Sequence, residues 1–288
     1  HLGLPPLLEG GLDQLVWGGP VRADGATGTL VELLVRGRVL PRDRVTSLLP
    51  PEAWHVGLLR DALLGVEATG MLVPMGGGLC WTDRPARSLY GTGGVFIPDG
   101  STVALLRALG EARVDRHLDL GCGPGSVTLS AARTSRRTLA VDINPRACFA
   151  ALRSCMLSDL PGVYAAVGDL DQVEGRFDRL SFVLPLLHPW SGRDPQPVHT
   201  HASSPDLLER TLRALPRLLD HGGRAVLYAQ HWVPGGEVRA VLGEAFGGRP
   251  WTLRFTGDHT GSTDVGRVQT GVFEVVADGV AVESRTRL

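Results

Sequence analysis

The pattern of apolar and polar positions changes character near residue 94. Beyond it, short apolar segments bounded by turn residues alternate with segments whose apolar positions recur every three to four residues. This alternation predicts a mainly parallel, doubly wound α/β sheet, because parallel strands need a crossing segment between them. The predicted strands are 117–120, 138–141, 163–167, 179–184, 224–229, 251–255 and 269–276, and the predicted helices are 102–112, 126–134, 145–157, 205–219 and 236–246.

The first part of the chain has a different pattern. Four short helical segments punctuated by Gly and Pro are predicted at 4–17, 27–35, 41–49 and 53–64, followed by a hairpin of strands 67–73 and 78–83. This outline is that of a winged-helix module. We therefore expect two domains, a winged-helix-like domain at 1–92 and a seven-stranded Rossmann-like domain at 93–288.

Charge argues against nucleic acid as a partner. The chain has 29 basic and 30 acidic residues, and residues 1–92 carry eight arginines against nine acids. We therefore expect the N-terminal domain to cap a site or to form a homodimer, with no nucleic acid bound. All 29 basic residues are arginine, which excludes lysine-based Schiff-base chemistry.

Composition places the chain among ordinary core-forming proteins, with 43% hydrophobic residues. No apolar run reaches the roughly 18 residues of a membrane span, and the first residues lack a signal-peptide pattern, so a cytoplasmic location is expected. The four cysteines form no C-x-x-C pair, which argues against a zinc ribbon or a disulfide framework. Abundant Ala, Gly, Arg and Leu suggest a GC-rich bacterial genome.

The most informative motif follows the first strand of the predicted sheet. There the chain reads HLDLGCGPGS, with glycines at 121, 123 and 125, and the second strand ends on Asp142. Such a turn with an acid about twenty residues on binds an adenosine-bearing cofactor. The spacing G-x-G-x-G is one residue shorter than the dinucleotide pattern G-x-G-x-x-G.

The loop, preceded by Asp119, resembles motif I of the class I S-adenosylmethionine-dependent methyltransferases. The runs VFIPDGST at 95–102 and VDINPRA at 141–147 extend the resemblance to the methyltransferase small domain group, which includes release-factor glutamine N5-methyltransferases and rRNA guanine N2-methyltransferases. The resemblance implies S-adenosylmethionine as cofactor, with S-adenosylhomocysteine as product.

The same resemblance assigns roles at the cofactor. Asp119 and Gly121 would face its amino acid end, Asp142 would accept hydrogen bonds from both ribose hydroxyls, and Asp169 would meet the adenine amino group. The implied cofactor-binding residues are Asp119, Gly121, Cys122, Gly123, Gly125, Asp142, Ile143, Asp169 and Leu170.

The chain departs from the family pattern after the fourth strand. Relatives that methylate planar nitrogens carry Asn-Pro-Pro-Tyr there, whereas this chain reads Val183-Leu184-Pro185-Leu186. The polar clamp for an amide or amino group is missing, which favours a small-molecule acceptor with a hydroxyl, amine or activated carbon, for example in bacterial natural-product biosynthesis. The predicted substrate-binding residues are Val183, Leu184, Pro185, Trp190, Tyr228 and Trp232.

Two alternatives remain open. The first is a methyltransferase acting on a release-factor glutamine or on rRNA, and the second is a non-catalytic regulatory module that only binds the cofactor.

Histidines supply the candidate general bases, because an imidazole titrates near neutral pH. His188 directly follows the fourth strand and is the first candidate, and His231 beside Trp232 is the second. His188, His199, His201 and Asp194 could in principle hold a divalent metal. The irregular loop favours a solvated segment instead, and we expect no metal.

Overall fold

A computed structural model describes residues 25–55, 57–84, 93–185, 206–232, 236–263 and 266–278. The predicted helix 4–17 lies outside the described residues. No helix in the part of the chain that the structure describes is long and apolar enough to cross a membrane.

A seven-stranded sheet forms the centre of the molecule. Its strands are β5 (Val114–Leu120), β6 (Ser135–Asp142), β7 (Val163–Val167), β8 (Phe177–Val183), β9 (Leu219–Trp232), β10 (Trp251–Thr263) and β11 (Gly266–Ala277). The spatial order is β10-β11-β9-β8-β5-β6-β7. The five strands from β9 to β7 are parallel, and β11 pairs antiparallel with β9 and β10. The predicted mainly parallel α/β sheet is thus confirmed.

Helices cover both faces of this sheet. They are α4 (Gly100–Leu109), α5 (Ser126–Thr134), α6 (Pro145–Leu157), α7 (Leu207–Leu218) and α8 (Gly236–Phe246). Buried leucines of α7 pack with α8 and the odd-numbered positions of β9 on one face, whereas α4 packs against Val226 and Tyr228 on the other. Burial of apolar surface on both faces is what holds such a sheet together.

Strand β9 is longer than predicted. It continues beyond Tyr228, which is the partner of the last residue of β8, because β11 extends the ladder and pairs Gln269 with His231. His231 therefore lies inside a strand and not in the loop that the sequence predicted. Antiparallel pairing with a residue 38 positions away is not visible in the local pattern.

The N-terminal part contains three helical segments and two hairpins within its described residues. They are α1 (Gly25–Leu30), which continues as a π-helical turn at Val31–Val35, α2 (Arg42–Thr46), α3 (Glu52–His55), and the strands β1 (Leu59–Ala62), β2 (Gly65–Ala68), β3 (Met71–Met75) and β4 (Gly78–Thr82). Strands β1 and β2 form one hairpin, and β3 and β4 form the other. The winged-helix outline stays a prediction.

Two predicted elements in this part are wrong. The helix predicted at 53–64 ends at His55 and gives way to β1, and the strand predicted at 67–73 is divided between the two hairpins. Gly57, inside the predicted helix, has φ of +68°, and Gly65, directly after it, has φ of +151°; neither value is helical. Gly65 also approaches the Leu40 carbonyl so closely that a Cβ would overlap it. The strand pairing overrides the helical pattern.

The β3–β4 hairpin packs directly on helices α5 and α6. The Leu79 amide donates to Ser158 Oγ at 2.9 Å and the Trp81 amide donates to Ser154 Oγ at 2.8 Å. Five buried side chains from both sides form one cluster: Val73, Met75, Cys80, Leu129 and Cys155. The hairpin therefore shares a core with the seven-stranded unit, while the division at 92/93 stays a prediction.

Candidate functional site

The predicted cofactor residues lie at one edge of the sheet. The glycine loop follows β5, Asp142 ends the neighbouring strand β6, and Asp169 follows β7. The carboxyl ends of neighbouring parallel strands form the usual ligand crevice in such sheets. The fold brings together the three segments that the sequence singled out.

Glycine is needed at each of the three loop positions for a different structural reason. All have left-handed backbone, with φ of +57° at Gly121, +51° at Gly123 and +87° at Gly125. A Cβ at Gly121 would lie 2.7 Å from the Phe182 ring, and one at Gly125 would lie 2.7 Å from Ala151 Cα. A Cβ at Gly123 would meet only open space, its nearest neighbour being an oxygen 3.9 Å away. Gly123 therefore leaves room for a ligand against the backbone.

Asp142 is held in place by backbone amides. The Gly123 amide donates to Oδ2 at 2.9 Å and the Asn144 amide donates to Oδ1 at 2.8 Å. Burial raises the pKa of this carboxyl, while the two amides act in the opposite direction. Each carboxylate oxygen has capacity for a second hydrogen bond, so both can still accept a hydroxyl. The neighbouring Ile143 is 39% exposed and offers an apolar surface beside them.

Asn144 connects this edge to the segment that precedes α4. Its side chain caps helix α6 by accepting from the Arg146 amide at 3.0 Å, and donates to the carbonyls of Gly93 and Gly94 at 3.2 and 3.3 Å. Asn144 was not among the predicted site residues. An Asn directly before a Pro at a helix start is an N-cap signature, and this signal could have identified its role as the cap of α6, but not its contact with Gly93 and Gly94.

Asp119 lies beneath the glycine loop and is 2% exposed. Its carboxylate accepts from Thr128 Oγ1 at 2.6 Å and from Ser181 Oγ at 2.8 Å, and Ser181 Oγ also contacts His117 Nε2 at 2.8 Å. Burial raises the pKa of Asp119 to about 6, and burial together with the Arg179 charge lowers the pKa of His117 to about 3. This network was not predicted from the sequence. The predicted role of Asp119 at the cofactor's amino acid end stays a prediction.

Cys122 and Cys148 are buried neighbours in this region. Cys122 lies in the glycine loop, where its backbone amide donates to the Val141 carbonyl at 3.1 Å. The hydrogen bond with the Cys148 thiol, together with burial, raises the pKa of Cys122. The predicted contact of Cys122 with the cofactor stays a prediction.

Asp169 begins a short 3₁₀ turn at Leu170–Gln172. Its side chain accepts from the Leu170 amide and pairs with Arg210 at 3.0 Å, and Arg210 also contacts Asp171. Leu170 is buried in the core that α7 covers. The predicted contact of Asp169 with adenine stays a prediction, and the structure adds Arg210 as its partner.

Of the four positions that replace Asn-Pro-Pro-Tyr, the structure describes Val183, Leu184 and Pro185, which lie at the end of β8. Leu184 is buried, and its amide donates to the Tyr228 carbonyl at 2.9 Å. Val183 and the buried Tyr228 pack in the cluster under α4. Val183 and Pro185 are half-buried, so this rim presents apolar side chains and no carboxamide.

Of the two candidate bases, His188 and His231, the structure describes only His231. His231 is 7% exposed and packs edge-on against Phe255 and Phe273, with ring centroids 4.9 and 5.2 Å away. This geometry is that of a core aromatic contact. His188, Trp190, Asp194, His199 and His201 lie outside the described residues, as does the side chain of Trp232. Among the residues that the structure describes, no cluster of acids, histidines and cysteines could hold a metal ion.

The arrangement fits S-adenosylmethionine. Gly123 leaves space against the backbone, the Asp142 carboxylate retains acceptor capacity for two hydroxyls, and the apolar side chain of Ile143 is exposed beside it.

Comparisons with known proteins agree with this geometry. The family described as "Methyltransferase small domain" matches residues 88–250. Among solved structures, Trm5b from Pyrococcus abyssi is similar at 15% identity and a TM-score of 0.52, over 77% of this chain and 62% of that one. This chain thus spans less than two thirds of that protein, and at such identity the likeness shows the fold alone.

Two further structures have lower TM-scores. A precorrin 8W decarboxylase of Methanobacterium thermoautotrophicum is 22% identical over 65% of this chain and 94% of that one, with a TM-score of 0.39. TYW2 of M. jannaschii in complex with AdoMet is 15% identical over 74% and 89% of the chains, with a TM-score of 0.48. The search of curated proteins gave no match.

The family match covers more than half of the 288 residues and includes the glycine loop, Asp142 and the end of β8. The protein therefore belongs to the methyltransferase small domain family and is an S-adenosylmethionine-dependent methyltransferase.

Proposed function

We propose that this enzyme methylates a small molecule at a hydroxyl, an amine or an activated carbon. The observation that carries the proposal is the end of β8, where Val183-Leu184-Pro185 replaces the polar tetrad of relatives that methylate amides and bases. Leu184 is buried, its amide donates to the Tyr228 carbonyl, and its apolar side chain offers no hydrogen-bond acceptor. These residues do not provide the two hydrogen-bond acceptors that would orient the NH₂ group of an amide or a base for methylation.

When bound, S-adenosylmethionine supplies an electrophilic methyl group on a sulfonium. The chain's part is to fix the partners of an in-line displacement, since alignment of this kind is worth about 7–11 kcal/mol in intramolecular systems. Asp142 would hold the ribose, and the backbone of the glycine loop would approach the cofactor. The half-buried apolar side chains of Val183 and Pro185 would exclude water on the acceptor side.

We propose His188 as the base that removes the proton from a hydroxyl acceptor during attack, or from a protonated amine before the neutral amine attacks. It follows directly on the β8 rim in the sequence, and a neutral imidazole is a competent base at pH 7. His188→Gln should lower kcat while leaving the Kd for S-adenosylmethionine unchanged. His231→Gln is the matched comparison, and a kcat loss larger than that of His188→Gln would transfer the role to His231.

The acceptor class is tested with methyl-labelled S-adenosylmethionine and a cell extract from the source bacterium. Labelled product should appear in the ultrafiltrate of small molecules and should survive prior treatment of the extract with ribonuclease or protease. The Asp142→Ala protein is the control for transfer that does not depend on this site. Label retained with RNA or with protein would contradict the proposal and support the macromolecular alternative.

We further propose that the enzyme acts in the cytoplasm of a bacterium, in natural-product biosynthesis, and that the winged-helix-like part caps the acceptor or mediates a homodimer. The β3–β4 packing on α5 and α6 supports a fixed cap. Light scattering of the purified protein would separate a capped monomer from a dimer.

A further inference from the structure

The hairpin that precedes the seven-stranded unit ends on a buried acid. Asp83 follows β4, and its side chain is 6% exposed. A buried carboxylate is costly unless it is paired and hydrogen-bonded, so its partners are informative.

Its first partner is Arg146 in the first turn of α6, which is 63 positions away in the sequence. The guanidinium donates from Nη2 to Oδ1 at 2.7 Å and from Nη1 to Oδ2 at 2.8 Å. A two-point contact of this kind fixes orientation as well as distance. The hydrogen bond to Asp83 also raises the pKa of Arg146, which keeps the guanidinium charged.

Both partners also hold the segment that leads into α4. The Val95 amide donates to Asp83 Oδ2 at 2.8 Å, and Arg146 Nη1 donates to the Gly93 carbonyl at 2.7 Å. The carbonyls of Gly93 and Gly94 are the acceptors of the Asn144 side chain. The ion pair and Asn144 thus fix the same short piece of backbone from two sides.

Asn144 carries this arrangement to the cofactor site. Its backbone amide donates to Asp142 Oδ1 at 2.8 Å, and Asp142 is the acceptor of the ribose hydroxyls in the site described above. A shift of 93–95 would release the Asn144 side chain and change the donor that orients the Asp142 carboxylate.

We propose that Asp83 and Arg146 are positioning residues for cofactor binding: this ion pair fixes 93–95 and, through Asn144, the Asp142 carboxylate. The N-terminal hairpin thereby controls affinity for S-adenosylmethionine without touching it. The proposal concerns cofactor binding and is independent of the acceptor.

Asp83→Asn tests it, because the amide keeps the shape and one acceptor oxygen but loses the charge and the second acceptor. Binding of S-adenosylmethionine and of S-adenosylhomocysteine, measured by titration calorimetry, should weaken about three- to thirtyfold, the range for residues that act on a site through intervening contacts. Arg146→Lys keeps the charge but not the two-point contact, and should weaken binding by an intermediate factor. The double variant should have a Kd no higher than that of the single variant with the higher Kd, because both substitutions disrupt the same ion pair.

Glu67→Gln is the matched control. Glu67 lies in the neighbouring hairpin and pairs with Arg84 at 2.7 Å, but has no contact with 93–95 among the bonds of the described residues. It should lower the unfolding temperature and leave both Kd values unchanged. A purely structural role of Asp83 would give the same result as this control.

A second measurement uses the protein without cofactor. Hydrogen exchange at the Val95 amide should be faster in Asp83→Asn than in the wild type, because its acceptor has lost its charge and its second anchor. If Asp83→Asn does not fold, Arg146→Lys decides alone. Unchanged Kd values in the folded variants, or an unchanged exchange rate at Val95, would overturn the proposal.

Discussion

At the scale of single residues, we expect substitution of Asp142 to weaken cofactor binding most. Its carboxylate accepts two backbone amides and keeps capacity for two hydroxyls. Because hydrogen bonds to a charged group contribute about 1.5–3 kcal/mol, Asp142→Ala should weaken S-adenosylmethionine binding about ten- to a hundredfold. Titration calorimetry measures this. Asp171→Ala removes an exposed acid paired with Arg210 and should bind normally. Equal Kd values for both variants would refute the role of Asp142.

Asp119 makes the stability of the protein depend on pH. Its pKa is raised to about 6 by burial from an ordinary value of 3.8. Between these values the folded protein binds more protons than the unfolded chain, so rising pH lowers its stability through this window. Asp119→Asn removes this titrating carboxyl group. Its stability relative to the wild type should increase from about pH 4 to about pH 6 and stay constant above, as measured by urea unfolding.

His117 acts in the opposite direction, because its pKa is lowered to about 3. The unfolded chain then binds more protons between about pH 3 and pH 6.5, so falling pH through that window destabilises the fold. This contribution is common to both proteins in the comparison and cancels in their difference. A difference in stability that does not change with pH would contradict the raised pKa of Asp119.

At the scale of elements, the glycine loop separates packing from cofactor binding. Gly125→Ala brings a methyl group within 2.7 Å of the α6 backbone, whereas the same change at Gly123 meets no atom closer than 3.9 Å. Gly123→Ala should therefore cost only the left-handed backbone strain of about 1–2 kcal/mol, and Gly125→Ala distinctly more. Thermal unfolding ranks the two. Gly123→Ala should weaken cofactor binding although it folds, and greater stability of Gly125→Ala would show that this packing account is wrong.

At the scale of the whole molecule, we expect the β3–β4 hairpin to stabilise the seven-stranded unit. A protein starting at residue 93 loses the cover of Leu129 and Cys155 and the partners of Ser154 and Ser158. One starting at residue 70 retains them. The shorter protein should unfold at a lower temperature or aggregate, because it exposes apolar surface that is buried in the intact chain. Equal unfolding temperatures would favour an independent domain at 93–288.

Local signals account for the elements that the sequence predicted well. Helices α5, α6 and α8 have the predicted bounds, because Gly125, Asn144-Pro145 and Gly247 mark their ends within a few residues. The helix predicted at 53–64 failed for the opposite reason. Its second half is drawn into β1 by pairing with β2, and the extension of β9 to His231 depends on β11. Strand pairing, with an adjacent segment in the first case and with one 38 positions away in the second, outweighs the local sequence pattern.

The parallel sheet and the methyl donor follow from the sequence alone, since periodicity, the three glycines and Asp142 are local features that need no knowledge of distant contacts. The surroundings of these features follow from the tertiary structure. It placed Asp119 in a buried network with Ser181, and it brought Asp83 to Arg146. These partners lie more than 60 positions apart in the sequence. Such contacts exist only because the sheet order and the docking of the hairpin bring their elements together.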